Sequence, residues 1–178
     1  IMHLAFFDSL TQLPNRRLLL DRLHQALAAS ARSGNSGALF FIDLDNFKTL
    51  NDTLGHDKGD LLLQQVAQRL ATGVREGDSV ARLGGDEFVV LLEGLSQSPV
   101  EAATQAESLG EKVLATLNLP YQLAGHEYHS TPSIGVTLFS GHQHAMEELM
   151  KQADLAMYQA KTAGRNALRF FDPKMQAL

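Results

Sequence analysis

Apolar positions along this chain recur with two different periods, and the periods divide it into elements. In "PNRRLLLDRLHQALAASARSG", Leu19, Leu23, Ala26, Leu27 and Ser30 follow the 3.6-residue spacing of one helix face, and Gly34 suits the exit. "GALFFIDLD" is apolar at successive positions until Asp43, as in a strand covered on both faces. "DNFKTLNDTLG" predicts a short helix with Asp45 as its N-cap, and "HDKGDLLLQQVAQRLATGV" a full helix stopped by Gly73. "SVARL" and "FVVLL" flank Gly84-Gly85 as the two strands of a hairpin. "PVEAATQAESLGEKVLATL" predicts another long helix, with Pro99 near its start. "YQLAGHEYHSTPSIGVTLF" predicts a short strand, a turn at Ala124-Gly125 and a longer strand. "AMEELMKQADLAMYQAKTAG" predicts a last long helix, and "ALRFFD" a closing edge strand ended by Pro173.

The resulting order, α-β-α-α-β-β-α-β-β-α-β, is that of a βαββαβ core with added elements. It predicts an α+β fold with a mostly antiparallel central sheet flanked by helices. A chain of 178 residues, 44% hydrophobic and 20% charged, is one globular domain with a full core. The absence of Cys excludes disulfides and thiolate metal sites. The net charge of −5 argues against a broad nucleic-acid footprint but leaves room for a locally basic nucleotide site. No apolar run approaches membrane-spanning length, and the first residues lack a signal-peptide pattern.

Three carboxylates fall at the ends or turns of predicted central strands: Asp43, Asp86 and Glu87, with Asp45 two residues past Asp43. Mg²⁺ takes oxygen ligands and usually one or two carboxylates, with phosphates and water completing its shell. Asp43 and Asp45 equally admit a plainer reading, in which they end a strand and cap a helix. Adjacent strand residues face opposite ways, so Asp86 and Glu87 point to one side only if the turn breaks the pleat. "NFK" offers backbone N–H groups at a helix start, with Lys48 in the same turn. "AKTAGRN" predicts Lys161 and Arg165 at i and i+4 on one helix face, either as a phosphate clamp or as favourable positive charge at a helix C-terminus. Asn51 and Asp60 pair an amide with a carboxylate, a combination suited to a guanine edge and also common in turns and caps. "GHQH" at Gly141–His144 has no acid or Cys partner at suitable spacing and reads as a polar surface loop.

"LTQLPNRR", "FFIDLDNFKTLNDTLGHDKGD", "ARLGGDEF", "SIGV" and "ADLAMYQAKTAGRN" occur in this order. Together they resemble the GGDEF family, the diguanylate cyclases of bacterial cyclic di-GMP signalling, from about Asp8 to about Phe171. The resemblance implies a palm-like sheet related to nucleotide cyclases, and condensation of two GTP into cyclic di-GMP and two pyrophosphates. By similarity Asp43, the Leu44 carbonyl and Asp86 ligate Mg²⁺, two ions per active site, with Mn²⁺ as a substitute. Asp86 is the base for the 3′-hydroxyl, Lys48 stabilises phosphate charge, and Glu87 has a supporting role. Lys161 and Arg165 hold the phosphate tail, Asn51 and Asp60 select guanine, and Gly84 and Gly85 let the nucleotide pass close. Arg75 and Asp78 match the family's inhibitory product site for cyclic di-GMP; taken alone they are a surface ion pair.

The resemblance also implies turnover by a homodimer, one GTP per protomer. Gln12 departs from the Gly of many relatives. "STPSIGV" and the tail "RFFDPKMQAL" look like proteins in which this domain precedes an EAL phosphodiesterase domain. Residues 1–12 are then the end of an upstream linker helix, 13–172 the domain, and 173–178 the start of a downstream linker. Leu4, Phe6, Phe7 and Leu10 are apolar enough to pack on a neighbour, such as a sensor domain. The expected location is cytoplasmic. The competing reading is a silent domain that binds GTP or cyclic di-GMP and controls an adjacent EAL domain.

Overall fold

The computed structural model of the protein describes residues 5–141, 144–173 and 175, so part of the Gly141–His144 loop, Leu4 and most of 173–178 lie outside it. Its elements run α1 (Arg16–Ser33), β1 (Ser36–Leu44), α2 (Phe47–Leu54), α3 (His56–Gly73), β2 (Ser79–Gly84), β3 (Glu87–Leu95), α4 (Pro99–Asn118), β4 (Tyr121–Leu123), β5 (His126–Tyr128), β6 (Pro132–Phe139), α5 (Met146–Thr162) and β7 (Ala167–Phe170). Local chemistry accounts for many boundaries. Asn15 caps α1 by accepting the Leu18 N–H at 3.1 Å, and Gly34 ends it at φ 80°. Pro99 opens α4 behind the Ser98 cap. Ala124 and Gly125, at φ 53° and 87°, make the two-residue turn of the β4–β5 hairpin. Gln12 sits at φ 64°, a conformation that costs Gly least, which explains why its position favours Gly in the family pattern.

Five strands form one sheet in the order β2-β3-β1-β6-β7, antiparallel except for the β6–β7 pair, while β4 and β5 pair separately. β1 is therefore central, and alternation along it feeds two cores. Phe40, Ile42 and Leu44 pack with Leu62, Val66 and Leu70 of α3 and Ala106 and Val113 of α4. Leu39 and Phe41 pack with Leu19 and Leu23 of α1 and Ala153 and Met157 of α5. Each such side chain contributes about 1.5–3 kcal/mol by leaving water. Asp43 shares the parity of Leu39 and Phe41, so it emerges where the α1/α5 layer meets the sheet.

Asp45 is not the N-cap of α2. Asn46 occupies that position at φ 60° and makes no side-chain cap bond. The reason is that the chain stays paired past the end of β1: the Asp45 N–H donates to the Thr131 carbonyl at 2.8 Å, which turns the carboxylate inward.

Helix α5 lies close against β6 because Gly135 has no side chain. A Cβ there would fall 2.1 Å from the Ala153 carbonyl oxygen and 2.2 Å from the Met157 nitrogen, both backbone atoms. Gly135→Ala is expected to lower unfolding free energy by about 3 kcal/mol, the upper end for overpacking, as read from chemical denaturation. A change below about 1 kcal/mol would show that α5 can slide freely on the sheet.

Candidate active site

The end of β1 lies between two strands, with Asp43 opposite Glu87 of β3 on one side and Ser133 of β6 on the other. Lys161, in the last turn of α5, reaches this point: its Nζ stands 3.2 Å from Asp43 Oδ2 and 3.8 Å from Asp45 Oδ1. The register of β2 against β3 shifts between Arg82 and Gly84, and Gly84 and Gly85 take φ 147° and 49°. No atom would lie within 4 Å of a Cβ on either glycine, so the turn opens to space. Asp86 precedes the first residue of β3 and escapes its pleat, while its carbonyl accepts the Leu44 N–H at 3.3 Å. The turn thus breaks the alternation, and both Asp86 and Glu87 come under the influence of the Asp43 carboxylate.

Crowding these acids changes their protonation. Burial first, and then the facing Asp43 carboxylate, push Asp86 up from 3.8 to about 7, against the opposing pull of Lys161. Glu87 is also raised, by burial first and then by Asp43 and Asp154, with Arg16 and Lys161 opposing. Asp154 of α5 is raised by burial and Asp43, with Arg16 opposing. A carboxyl poised near neutrality is suited to take up a proton at working pH.

Asp43 Oδ1 and Asn51 Oδ1 are the two buried side-chain polar atoms without a hydrogen-bond partner among the described residues. An orphaned buried carboxylate oxygen is costly, and a hard cation is one partner that satisfies it. Asp43 and Asp86 fit such an ion through oxygen. No group of three or more His, Cys, Asp or Glu suited to a metal occurs among the described residues. An ion held by two carboxylates would keep coordination positions open for ligand oxygens.

Asn51 sits on α2 against α3. A Cβ on Gly59 would fall 1.8 Å from Asn51 Oδ1, so the glycine makes room for the amide, and the exposed Asp60 follows directly. Lys48, one turn earlier on α2, is exposed and has no ion pair among the described residues. Arg165 is not on the helix face with Lys161. Helix α5 ends at Thr162, and Gly164, Arg165 and Asn166 follow with φ of 120°, 64° and 49°. A left-handed residue other than Gly costs about 1–2 kcal/mol, so this turn needs outside support.

Arg75 and Asp78 lie apart from the acids. Glu93, beside them, is six residues along β3 from Glu87, or about 20 Å. Arg75 Nε and Nη2 donate to Asp78 at 3.1 and 3.2 Å, and Nη2 donates to the Glu93 carbonyl at 2.7 Å. The Asp78 side chain is 1% exposed and also accepts the Glu93 N–H at 3.2 Å, while the Arg75 side chain is 57% exposed. Asp78 is thus a fixed anchor that presents a guanidinium to solvent.

Several contributors were not read from the sequence. Asp154 precedes Lys161 by two helical turns, a spacing that could have flagged it, and Arg16 follows the Asn15 cap. Arg82 clamps the glycine turn, donating from Nε and Nη2 to the Gly85 carbonyl at 3.0 and 2.8 Å and from Nη1 to Asp8 Oδ1 at 3.0 Å. Burial alone would raise Asp8, but Thr11 and then Arg82 outweigh it and hold the carboxyl below its usual value. No local signal links Asp8 to Arg82, 74 positions away.

Residues 5–167 match the family model described as diguanylate cyclase, GGDEF domain. The chain is 48% identical over 177 residues to the bifunctional diguanylate cyclase/cyclic di-GMP phosphodiesterase MucR of Pseudomonas aeruginosa, covering 99% of this chain and 25% of MucR. It therefore spans about a quarter of that relative's length. The solved GGDEF domain of TpbB from the same organism aligns with a TM-score of 0.88 at 38% identity, over 96% of this chain and 97% of that one. The coiled coil and GGDEF domain of DgcB from Caulobacter crescentus, in complex with c-di-GMP, aligns with a TM-score of 0.83 at 28% identity, over 95% and 87% of the two chains.

The acid cluster predicts a pH-dependent stability. Folded Asp86 keeps its proton up to about pH 7, whereas the unfolded chain releases it near 3.8. Its contribution is complete below the unfolded value and is lost as pH rises through the folded one. The metal-free melting temperature should therefore fall between about pH 4 and about pH 7, and Asp86→Asn should flatten that fall. Added Mg²⁺ should raise the wild-type midpoint more at the higher pH and leave the variant unmoved; equal shifts at both pH values would contradict this assignment.

Proposed function

The chain belongs to the GGDEF family of diguanylate cyclases, and from that premise we propose that it condenses two GTP molecules into cyclic di-GMP and two pyrophosphates as a homodimer. The observation that carries this reading is the pair of orphaned buried oxygens, Asp43 Oδ1 at the end of β1 and Asn51 Oδ1 on α2 against Gly59. One end of the site lacks a cation and the other lacks a hydrogen-bond donor. A guanine nucleotide with its divalent ions supplies both.

Asp43, Asp86 and the Leu44 carbonyl would hold two Mg²⁺ ions, or Mn²⁺. Those ions, when bound, neutralise the triphosphate and make the 3′-hydroxyl easier to deprotonate. Asp86 takes the hydroxyl proton at its carboxylate. The 3′-oxygen bonds to the α-phosphorus of the GTP held by the facing protomer, the bond from that phosphorus to the β-phosphate's bridging oxygen breaks, and pyrophosphate leaves. The reciprocal attack closes the ring. Lys48 meets charge on the phosphates, and Lys161 and Arg165 hold the tail, with Lys161 moving its charge from Asp43 to phosphate. Asn51 and Asp60 present acceptors that match the N1–H and N2–H₂ donors of guanine, where adenine offers an acceptor at N1. Gly84 and Gly85 leave space for the nucleotide, and Glu87 supports Asp43. This division suits phosphoryl transfer, in which positioning and electrostatics dominate.

A second reading is favoured by another Pseudomonas aeruginosa relative, NbdA, 38% identical over 175 residues and named for cyclic di-GMP phosphodiesterase activity alone. In it the domain binds GTP or cyclic di-GMP without turnover and controls an adjacent EAL phosphodiesterase domain. Arg75 and Asp78 fit a product site in either case, because the anchored guanidinium faces solvent and can pair with phosphate or a guanine edge.

Incubation with GTP and Mg²⁺, with chromatography of the products, decides between the two. Specific activity should rise with protein concentration, and Asp86→Asn should lower it by about a hundredfold or more, the scale of a lost general base. GTP binding with no product at any concentration would favour the silent domain. Arg75→Ala should keep turnover and escape inhibition by added cyclic di-GMP; an unchanged inhibition curve would remove Arg75 from the product site.

A further inference from the structure

Asp45 is a buried acid that the proposed chemistry leaves without a task. Its side chain is 2% exposed, and a charge so buried persists only where donors surround it. Thr131 Oγ1 donates to it at 2.6 Å, Ser133 Oγ at 2.7 Å and the Asn166 N–H at 3.0 Å, and Lys161 Nζ stands 3.8 Å away. These donors come from the entry to β6, the end of α5 and the turn beyond it. That turn, Gly164-Arg165-Asn166, has three successive positive φ values and carries Arg165. Asn118 Nδ2 grips the Asn166 side-chain oxygen at 2.8 Å, and Asp45 grips the Asn166 backbone.

A buried ionic network is weak evidence for stability, since apolar residues of similar volume often hold a fold as well. What the network around Asp45 holds is the Lys161 ammonium and the backbone of the turn that carries Arg165. Resting on the reading of Lys161 and Arg165 as the phosphate-holding groups, we infer that Asp45 is a positioning residue for the triphosphate, setting where both cations stand relative to Asp43 and Asp86. Lys161 has two carboxylate partners in this structure, Asp43 and Asp45. If Asp43 is taken by a divalent ion, Asp45 is the partner that remains, and it keeps the ammonium at the site instead of releasing it to solvent. Asp45 therefore acts through Lys161 and the Arg165 turn and touches no reacting atom.

The test is Asp45→Asn in the full chain, with three readouts. The KM for GTP should rise about tenfold while kcat changes little, on the scale of a lost charge-assisted hydrogen bond. Combined with Lys161→Met, the rise in KM should fall well short of the product of the two single effects, because both act on one cation. Without nucleotide, the Asn166 amide should exchange with solvent at least about tenfold faster, on the same hydrogen-bond scale. Should Asp45→Asn fail to fold, Ser133→Ala removes one donor and should move KM and Asn166 exchange in the same direction by about threefold, as a smaller part of the same network. A folded variant with wild-type KM, multiplicative effects with Lys161→Met, or unchanged Asn166 exchange each overturns the inference. A wild-type chain that binds no GTP removes the functional reading and the triphosphate role together, while the exchange measurement still decides whether Asp45 holds the turn.

Discussion

Asp43 and Asp86 are held toward each other at the end of the central strand, partly withdrawn from water. Two like charges in such a place repel strongly, and the repulsion grows as solvent is excluded. The structure relieves it in two ways: Lys161 stands against Asp43, and Asp86 retains its proton up to about 7. The unpartnered Asp43 oxygen marks what those arrangements leave unmet. The geometry of such a site disfavours its empty, fully ionised state, and a cation would relieve it.

The fold exists around that tension. β1 must be central for Asp43 to be flanked by β3 and β6, and it must be apolar on both faces to be central. Helix α5 must approach β6 closely for Lys161 to reach the acids, and Gly135 allows the approach. The glycine turn that presents Asp86 is clamped by Arg82, which is tied in turn to Asp8. On the other side, α2 and α3 meet with Gly59 against Asn51, which leaves the amide oxygen buried and unused. The candidate acids, cations and amide therefore stand on separate elements: Asp43 on β1, Asp86 at the glycine turn, Lys161 on α5 and Asn51 on α2.

Much of this was legible in the residues. The element order, the hairpin around Gly84-Gly85, the helix exit at Gly34 and the helix start at Pro99 follow from short-range rules of turn and helix chemistry. The same rules misled where tertiary pairing overrode them. Asp45 resembles an N-cap, but pairing with Thr131 carries the chain past the helix start and turns the carboxylate inward. Arg165 fits an i,i+4 partner of Lys161, but the helix ends at Thr162 and Arg165 enters a left-handed turn. Asp154 and Arg16 escaped notice because their effect on the acids depends on how α1 and α5 cover one face of the sheet.

The amino-acid sequence by itself determined the α+β architecture, the motifs of the family and the identity of the candidate acids and cations. It did so because periodicity, capping and turn preference act over a few residues, and because ordered motifs can be read without coordinates. Only the tertiary structure decided that Asp86 and Glu87 both face Asp43, that Asp86 is poised near neutrality, and that Asp45 turns inward to Thr131, Ser133 and Asn166 instead of capping a helix. Those properties arise between partners far apart in the chain: Asp45 meets Thr131, Ser133 and Asn166 across 86, 88 and 121 positions. A carboxylate's protonation and its partners depend on what the fold brings within a few ångströms, and no local pattern encodes that distance.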